Sequence, residues 1–338
     1  MKNLKIIFGI LLILILLIIC ILSFFFMNPK EEKINFENLI KETTKNTKLI
    51  DANTDHNQAL DVAEYATSRG IEIPEVIINF DTHSDIYVNY PVMKYGIAGV
   101  ENWLNEYLAK YPQVKELYWV IPDEEAKDIP LQIFFAEDNY NLIKIGTDLY
   151  GNSLKTNVPL FKFVFTPLTR KAYVQNFYIN TKTGTFNEYV KDLEINKNLF
   201  LKNQPYKKIK VTTCTKDTLP DFRGEKVFLS IDADYISNSG FDTYHRFKIR
   251  KAPNGINKGF ISIFKTIKNK NIEPKIISMT LSPQYLPKEH HTKVQDIFEY
   301  IIQTSGHSDK IFDYKRNYHV PNKLMDIYDR FEELGITD

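Results

Sequence analysis

The run Asp81-Thr82-His83-Ser84-Asp85 and, far downstream, Asp232-Ala233-Asp234 supply five side chains able to bind a metal ion. All are carboxylate or imidazole donors and none is a thiolate, a set suited to a hard or borderline divalent ion. Manganese fits first, with zinc and iron(II) as the other readings. Four carboxylates in one place repel, so a cluster of this kind is costly without a cation. Asp81, His83 and Asp85 alternate at period two, as do Asp232 and Asp234, so an extended backbone would point each set one way. Each triplet taken alone reads equally as a solvated loop. Their joint occurrence, each at the end of an apolar run, favours the metal reading.

Those runs are Val76-Ile77-Ile78-Asn79-Phe80, bounded by Pro74, and Val227-Phe228-Leu229-Ser230-Ile231. Their β-branched and aromatic composition predicts buried strands. If both are parallel strands of an α/β sheet, the two clusters lie at carboxyl ends, where such sheets keep their ligand sites. Around them the spacing of Leu60, Val62, Ala63 and Ala66 predicts a helix over Asn57–Arg69, closed by Gly70. Val100, Trp103, Leu104, Tyr107 and Leu108 predict a second, ended before Pro112, and Leu117–Ile121 a strand.

Between 123 and 204 the pattern changes to strand-like runs at Leu131–Ala136, Leu142–Ile145, Phe161–Phe165 and Ala172–Ile179, read as a β-rich insertion that could cover a substrate mouth. The alternation then resumes with strands at Ile209–Thr212 and Lys275–Leu281 and helices at Gly255–Lys268, Lys293–Thr304 and Asn322–Leu334. The expected fold class is α/β, a three-layer αβα arrangement around a mainly parallel sheet.

The 338 residues suffice for an enzyme domain plus an appendage, and a net charge of +1 with no lysine-rich block argues against a nucleic-acid partner. Cys20 and Cys214 cannot make a disulfide framework or a cysteine zinc site. Residues 6–27 form an apolar stretch long enough to cross a bilayer, without the small residues of a signal-peptidase site. They read as a single-pass membrane anchor. Residues 28–48 follow as a charged tether with a helix near Phe36–Thr44, and 49–338 as the metal domain. The short amino-terminal tail favours an extracytoplasmic domain.

In chain order, Asp55-His56, Asp81-x-His83-x-Asp85 and Ser230-x-Asp232-x-Asp234 resemble the three blocks of the arginase and deacetylase superfamily of metal hydrolases. The wording His56-Asn57-Gln58-Ala59-Leu60 and Ser230-Ile231-Asp232-Ala233-Asp234-Tyr235 is similar to the arginase-like branch that includes the peptide arginases, which convert arginine within peptides to ornithine and urea. The resemblance implies a pair of divalent ions, one held by His56, Asp81, Asp85 and Asp232 and the other by Asp81, His83, Asp232 and Asp234. Asp81 and Asp232 would bridge, and Asp85 would accept a proton. The substrate it implies is a peptide, or a small guanidino or amide compound.

The chain departs from the arginase pattern in three places. Ser237-Asn238 stand where an Asp-Pro continues the third block, and no histidine lies between Ile86 and Lys110 to act as a proton shuttle. In the late segment Ser282-Pro283-Gln284-Tyr285, the neutral Gln284 occupies the place of a guanidinium-binding carboxylate, with Glu289 as a helix-start glutamate beyond it. His245, eleven residues after Asp234, is the catalytic candidate able to reach the site from a loop. His290-His291 read as a helix start, and Tyr235 and Asn102 as packing and helix residues. Two rival functions share the same residues: a metal-dependent amidohydrolase or deacetylase, and a metal-stabilised binding protein without turnover.

Overall fold

The computed structural model describes residues 36–86, 103–128, 131–133, 142–147, 153–157, 162–164, 171–182, 184, 186–188, 206–240, 249–252 and 255–307. The chain divides into two compact units, 1–39 and 40–338. Helix α1 (Phe36–Thr44) runs across that boundary. The second unit begins ahead of Leu49, because Thr47 Oγ1 donates to Pro274 O (2.8 Å) and Lys48 N to Lys275 O (2.8 Å).

The second unit is an α/β fold built on an eight-stranded, mostly parallel mixed sheet. Its strands, in spatial order, are β1 (Leu49–Asn53), β12 (Glu273–Thr280), β11 (Lys226–Asp232), β2 (Val76–Phe80), β3 (Glu116–Val120), β10 (Tyr206–Cys214), β8 (Tyr173–Asn180) and β9 (Phe186–Glu188). The first six are mutually parallel, and β8 and β9 add antiparallel pairings at one edge. Parallel strands of this kind are covered on both faces and so read as continuous apolar runs. Ile77, Leu117, Phe228 and Ile276 pack with helices α2 (Ala59–Ser68) and α3 (Trp103–Lys110). The neighbouring Ile78, Leu229 and Ile277, which the pleat turns to the opposite face, are just as fully buried. Helices α5 (Ile256–Asn269) and α6 (His291–Thr304) bury Phe260 and Phe298 edge to face at 5.6 Å. The arrangement is consistent with three layers.

Both motif strands are where the sequence reading put them, in adjacent and parallel positions, with Ser230 opposite Asn79 and Ile231 opposite Phe80. Strand β1 was not anticipated, because Leu-Ile-Asp-Ala-Asn has neither clean alternation nor a long apolar run. Its pairing with β12 makes it a strand. The stretch after β3 opens with a short helix, α4 (Asp123–Asp128), ahead of its first strand. Beyond it β4 (Leu131–Ile133) pairs with β7 (Lys162–Val164), and β5 (Leu142–Thr147) with β6 (Ser153–Asn157), each antiparallel. Among the described residues no helix is long and apolar enough to cross a membrane. The apolar segment 6–27 and the helix expected at Asn322–Leu334 lie outside the described residues.

Candidate metal centre

Three loops at the carboxyl edge of the sheet deliver the donors. After β1 the chain turns through a 3-10 segment, His56–Gln58, whose Gln58 side chain accepts from the amides of Thr54 and Asp55, both at 2.9 Å. That closed turn carries His56 over the end of β12 to β11, where its Nε2 lies 2.8 Å from Ser230 Oγ. After β2 the backbone leaves the strand at Asp81, and His83 N donates to Asp81 Oδ1 at 2.7 Å. Asp85 sits in the left-handed region at φ 51°. After β11, Ala233–Tyr235 form a 3-10 turn with Asp234 N donating to Asp232 Oδ1 at 2.9 Å.

Neither acidic block is therefore an extended ladder of side chains, as strand alternation had suggested. Asp81, one residue past β2, and Asp232, the last residue of β11, each accept a hydrogen bond from the amide two residues on, which folds the chain into turns. Convergence survives by another route: the turns aim the side chains at a common point.

At that point His56 Nδ1 meets three carboxylates, Asp85 Oδ2 at 2.8 Å and Asp81 Oδ2 and Asp232 Oδ2 each at 3.1 Å. His83 Nδ1 lies 2.9 Å from Asp234 Oδ2 and 3.8 Å from Asp81 Oδ1. Asp81 thus presents one oxygen to each histidine. Donor atoms of His56, Asp81 and Asp85 fall within 4.8 Å of one another, as do those of Asp81, His83 and Asp234. Asp232 joins the first group through His56, while its other oxygen is engaged by the Asp234 amide. Either group could hold a metal ion.

The chemistry of the donor set fits a cation. Four aspartates are buried together, and Asp234 Oδ2 makes no aligned hydrogen bond despite its closeness to His83. With Nε2 engaged by Ser230, His56 Nδ1 faces three carboxylates, an arrangement that requires a proton or a metal ion at Nδ1. Protons fill that role when metal is absent. Burial by itself would lower the His56 pKa, but Asp85, Asp232 and Asp81 together push it well above the usual imidazole value. His83 is likewise penalised by burial yet raised to about 10, chiefly by Asp234. Burial and then the Asp234 charge raise Asp232 to about 7. Burial and then the charges of Asp85 and Asp234 raise Asp81 well above the carboxylate range. Asp234 goes the other way: burial opposes it, but His83, the Thr82 amide and Arg250 hold it below the usual value.

All six predicted ligands come together, and Glu289, His291 and Tyr235, which the structure also describes, stand apart from them. His245 and Asn102 lie outside the described residues. His291 Nε2 is bonded to Leu286 O (2.8 Å) at the start of α6, and Glu289 is exposed in the turn before it. Tyr235 packs edge-on to Phe80 with ring centroids 5.3 Å apart.

The sequence reading missed the groups that hold the ligands. Trp103 Nε1 donates to Asp85 Oδ2 (2.6 Å), Asn79 Nδ2 to Asp81 Oδ2 (3.1 Å), Trp119 Nε1 to Asp81 O (3.1 Å), and Ser282 Oγ to Asp232 Oδ2. One signal was present. Asn79 and Ser230 stand two residues before Asp81 and Asp232, on paired strands, and are polar within otherwise apolar runs. Trp103 carried no such signal, since its spacing is that of any helix core residue. No protein-family model matches the chain, and no curated protein matches it.

Proposed function

We propose that this centre binds two divalent ions, manganese foremost, and hydrolyses a carbon–nitrogen bond, in an arginase-like domain held to a membrane by residues 6–27. The observation that carries the reading is the convergence of His56, Asp81, His83, Asp85, Asp232 and Asp234 from three separate loops, with Asp81 shared between two donor groups. Charge supports the number: two divalent ions balance the four carboxylates. Bound there, such ions supply a Lewis acid and lower the proton affinity of water toward neutrality.

The protein's own groups then divide the work. Ser230 and Trp103 hydrogen-bond to His56 and Asp85, and on this reading Asp85 would accept a proton while remaining a ligand. Arginine side chains within peptides are the first substrate to test. The expected result is urea release and a peptide mass change to ornithine, dependent on added manganese. An amide substrate is the second reading, favoured by the neutral, half-buried Gln284 beside Tyr285, whose ring lies 4.5 Å from that of His83. Acetate release from acylated compounds without urea formation would select it. Fewer than one equivalent of metal after reconstitution of the purified chain would falsify both and the binding-protein alternative together.

A further inference from the structure

Arg250 is buried behind the centre and engages all three guanidinium nitrogens with groups that are not metal donors. Nε donates to Glu125 Oε1 (3.0 Å), one terminal nitrogen to Tyr235 O (2.8 Å), and the other to Thr82 Oγ1 (2.8 Å) and Asp234 O (2.5 Å). Its own backbone is fixed as well, pairing with Asn238 in both directions at 2.6 and 2.7 Å. Thr82 completes the joint: its hydroxyl donates to Asp234 O (3.0 Å) and its amide to Asp234 Oδ1 (3.2 Å). Three segments meet at this one side chain, namely the turn after β2, the turn after β11, and α4 after β3.

A buried Arg–Glu pair contributes little net stability, because desolvation offsets its attraction. Its geometric effect is another matter, since the planar fork grips two carbonyls and a hydroxyl at fixed angles. The groups that hold the other half of the centre, Ser230, Trp103, Asn79 and Ser282, make none of these bonds with Arg250. We infer that Arg250, braced by Glu125, is a positioning residue that sets the Asp234 turn against the His83 turn, and so shapes the second half of the metal centre selectively. The inference rests on the metal reading above. It also ties α4, from which the β-rich stretch leaves the sheet, to the ligand loops.

The test uses the full chain in detergent, titrated with manganese and followed by bound-metal stoichiometry and by the electron paramagnetic resonance signature of a coupled manganese pair. Thr82→Val removes one hydroxyl with little change of shape, and Arg250→Met combined with Glu125→Gln removes the pair without leaving a lone buried charge. Each is expected to keep the first manganese within about threefold of wild type and to weaken the second by about 10–100-fold, the range for loss of outer-shell support. The coupled-pair signal should fade accordingly, and Thr82→Ser, which retains the hydroxyl, should restore it. Unchanged second-site affinity, or equal weakening of both sites, would overturn the inference. A wild-type chain that takes up no metal pair would sink the metal reading and this inference with it, whereas a wild-type pair with unaltered variants would sink this inference alone.

Discussion

His56 and Asp85 on one side of the centre, and His83 and Asp234 on the other, share Asp81 but differ in enclosure. The side chains of His56 and Asp85 are 3% and 4% exposed, against 15% for His83. The enclosed half is roofed by Trp103, whose ring lies 5.0 Å from that of His56 and whose N–H holds Asp85. The other half is bordered by the half-buried Tyr285, whose ring lies 4.5 Å from that of His83. Burial strengthens electrostatic attraction and slows ligand exchange, while exposure admits solvent and substrate. The difference rests on His83 alone, since Asp234 beside it is fully buried; on the metal reading the His56 side would retain its ion and His83 would mark the side open to solvent.

Strain is distributed in the same way. Asp85 and Ser282, both non-glycine residues at positive φ, support the enclosed half, through the Asp85 carboxylate and through the Ser282 hydroxyl on Asp232. Such conformations cost about 1–3 kcal/mol each and persist where surrounding contacts over-determine them. The contacts present are the Trp103 bond to Asp85 and the extension of the β1–β12 ladder through Ser282 N to Thr54 O at 2.9 Å.

Asp81→Asn should have the largest effect, because Asp81 alone belongs to both donor groups. Metal affinity should fall more than about 100-fold at both halves, beyond the range for outer-shell changes, as read by manganese titration. Loss confined to one half would break the idea of a shared carboxylate. His56→Ala and His83→Ala separate the halves directly. Removing His56 strands three buried carboxylates and should lower metal-free stability by about 3–5 kcal/mol in denaturant unfolding. His83→Ala should cost clearly less, and equal losses would argue against unequal enclosure.

Acidity offers a third probe. His83 is raised to about 10 and Asp232 to about 7, so the metal-free folded state binds more protons than the unfolded chain. Its stability is then highest at low pH and falls as pH rises through those values, from about pH 4 to 7 for Asp232 and from about pH 6.5 to 10 for His83. Asp234, held low, opposes this only in the acid range, where its contribution is lost as pH falls. Metal binding displaces the same protons, so the metal-bound minus metal-free difference in Tm should widen from about pH 6 to pH 9. A difference that is flat or narrows with pH would contradict a proton-for-metal exchange.

Trp103→Phe keeps the roof but removes the N–H to Asp85, and should weaken the enclosed half by roughly 10-fold while sparing the His83 half. Ser282→Ala should be the mildest, about 1 kcal/mol in thermal unfolding, the usual net contribution of one such hydrogen bond.

Legibility followed locality. Strands β2 and β11, helix α2 and the five donors of the two acidic blocks could be read from composition and spacing, because each depends on a short window of chain, whereas His56 was reached only through the resemblance of its block to a known family. The conformation of the acidic blocks could not, because hydrogen bonds from their own amides overrode strand alternation. Nor could Arg250, a single arginine with no neighbouring pattern that acquires its part by meeting Thr82, Asp234 and Glu125 across separations of 168, 16 and 125 residues.

By itself, then, the sequence determined the chemistry on offer: oxygen and imidazole donors, free of thiolates, at the ends of apolar runs suited to buried strands. Only the tertiary structure decided the rest. The strand order brings the three loop ends to one edge, the turns rather than the strands aim the donors, and Trp103 of α3 covers the His56 side. Those outcomes depend on contacts between distant segments, and a linear reading weighs each segment alone.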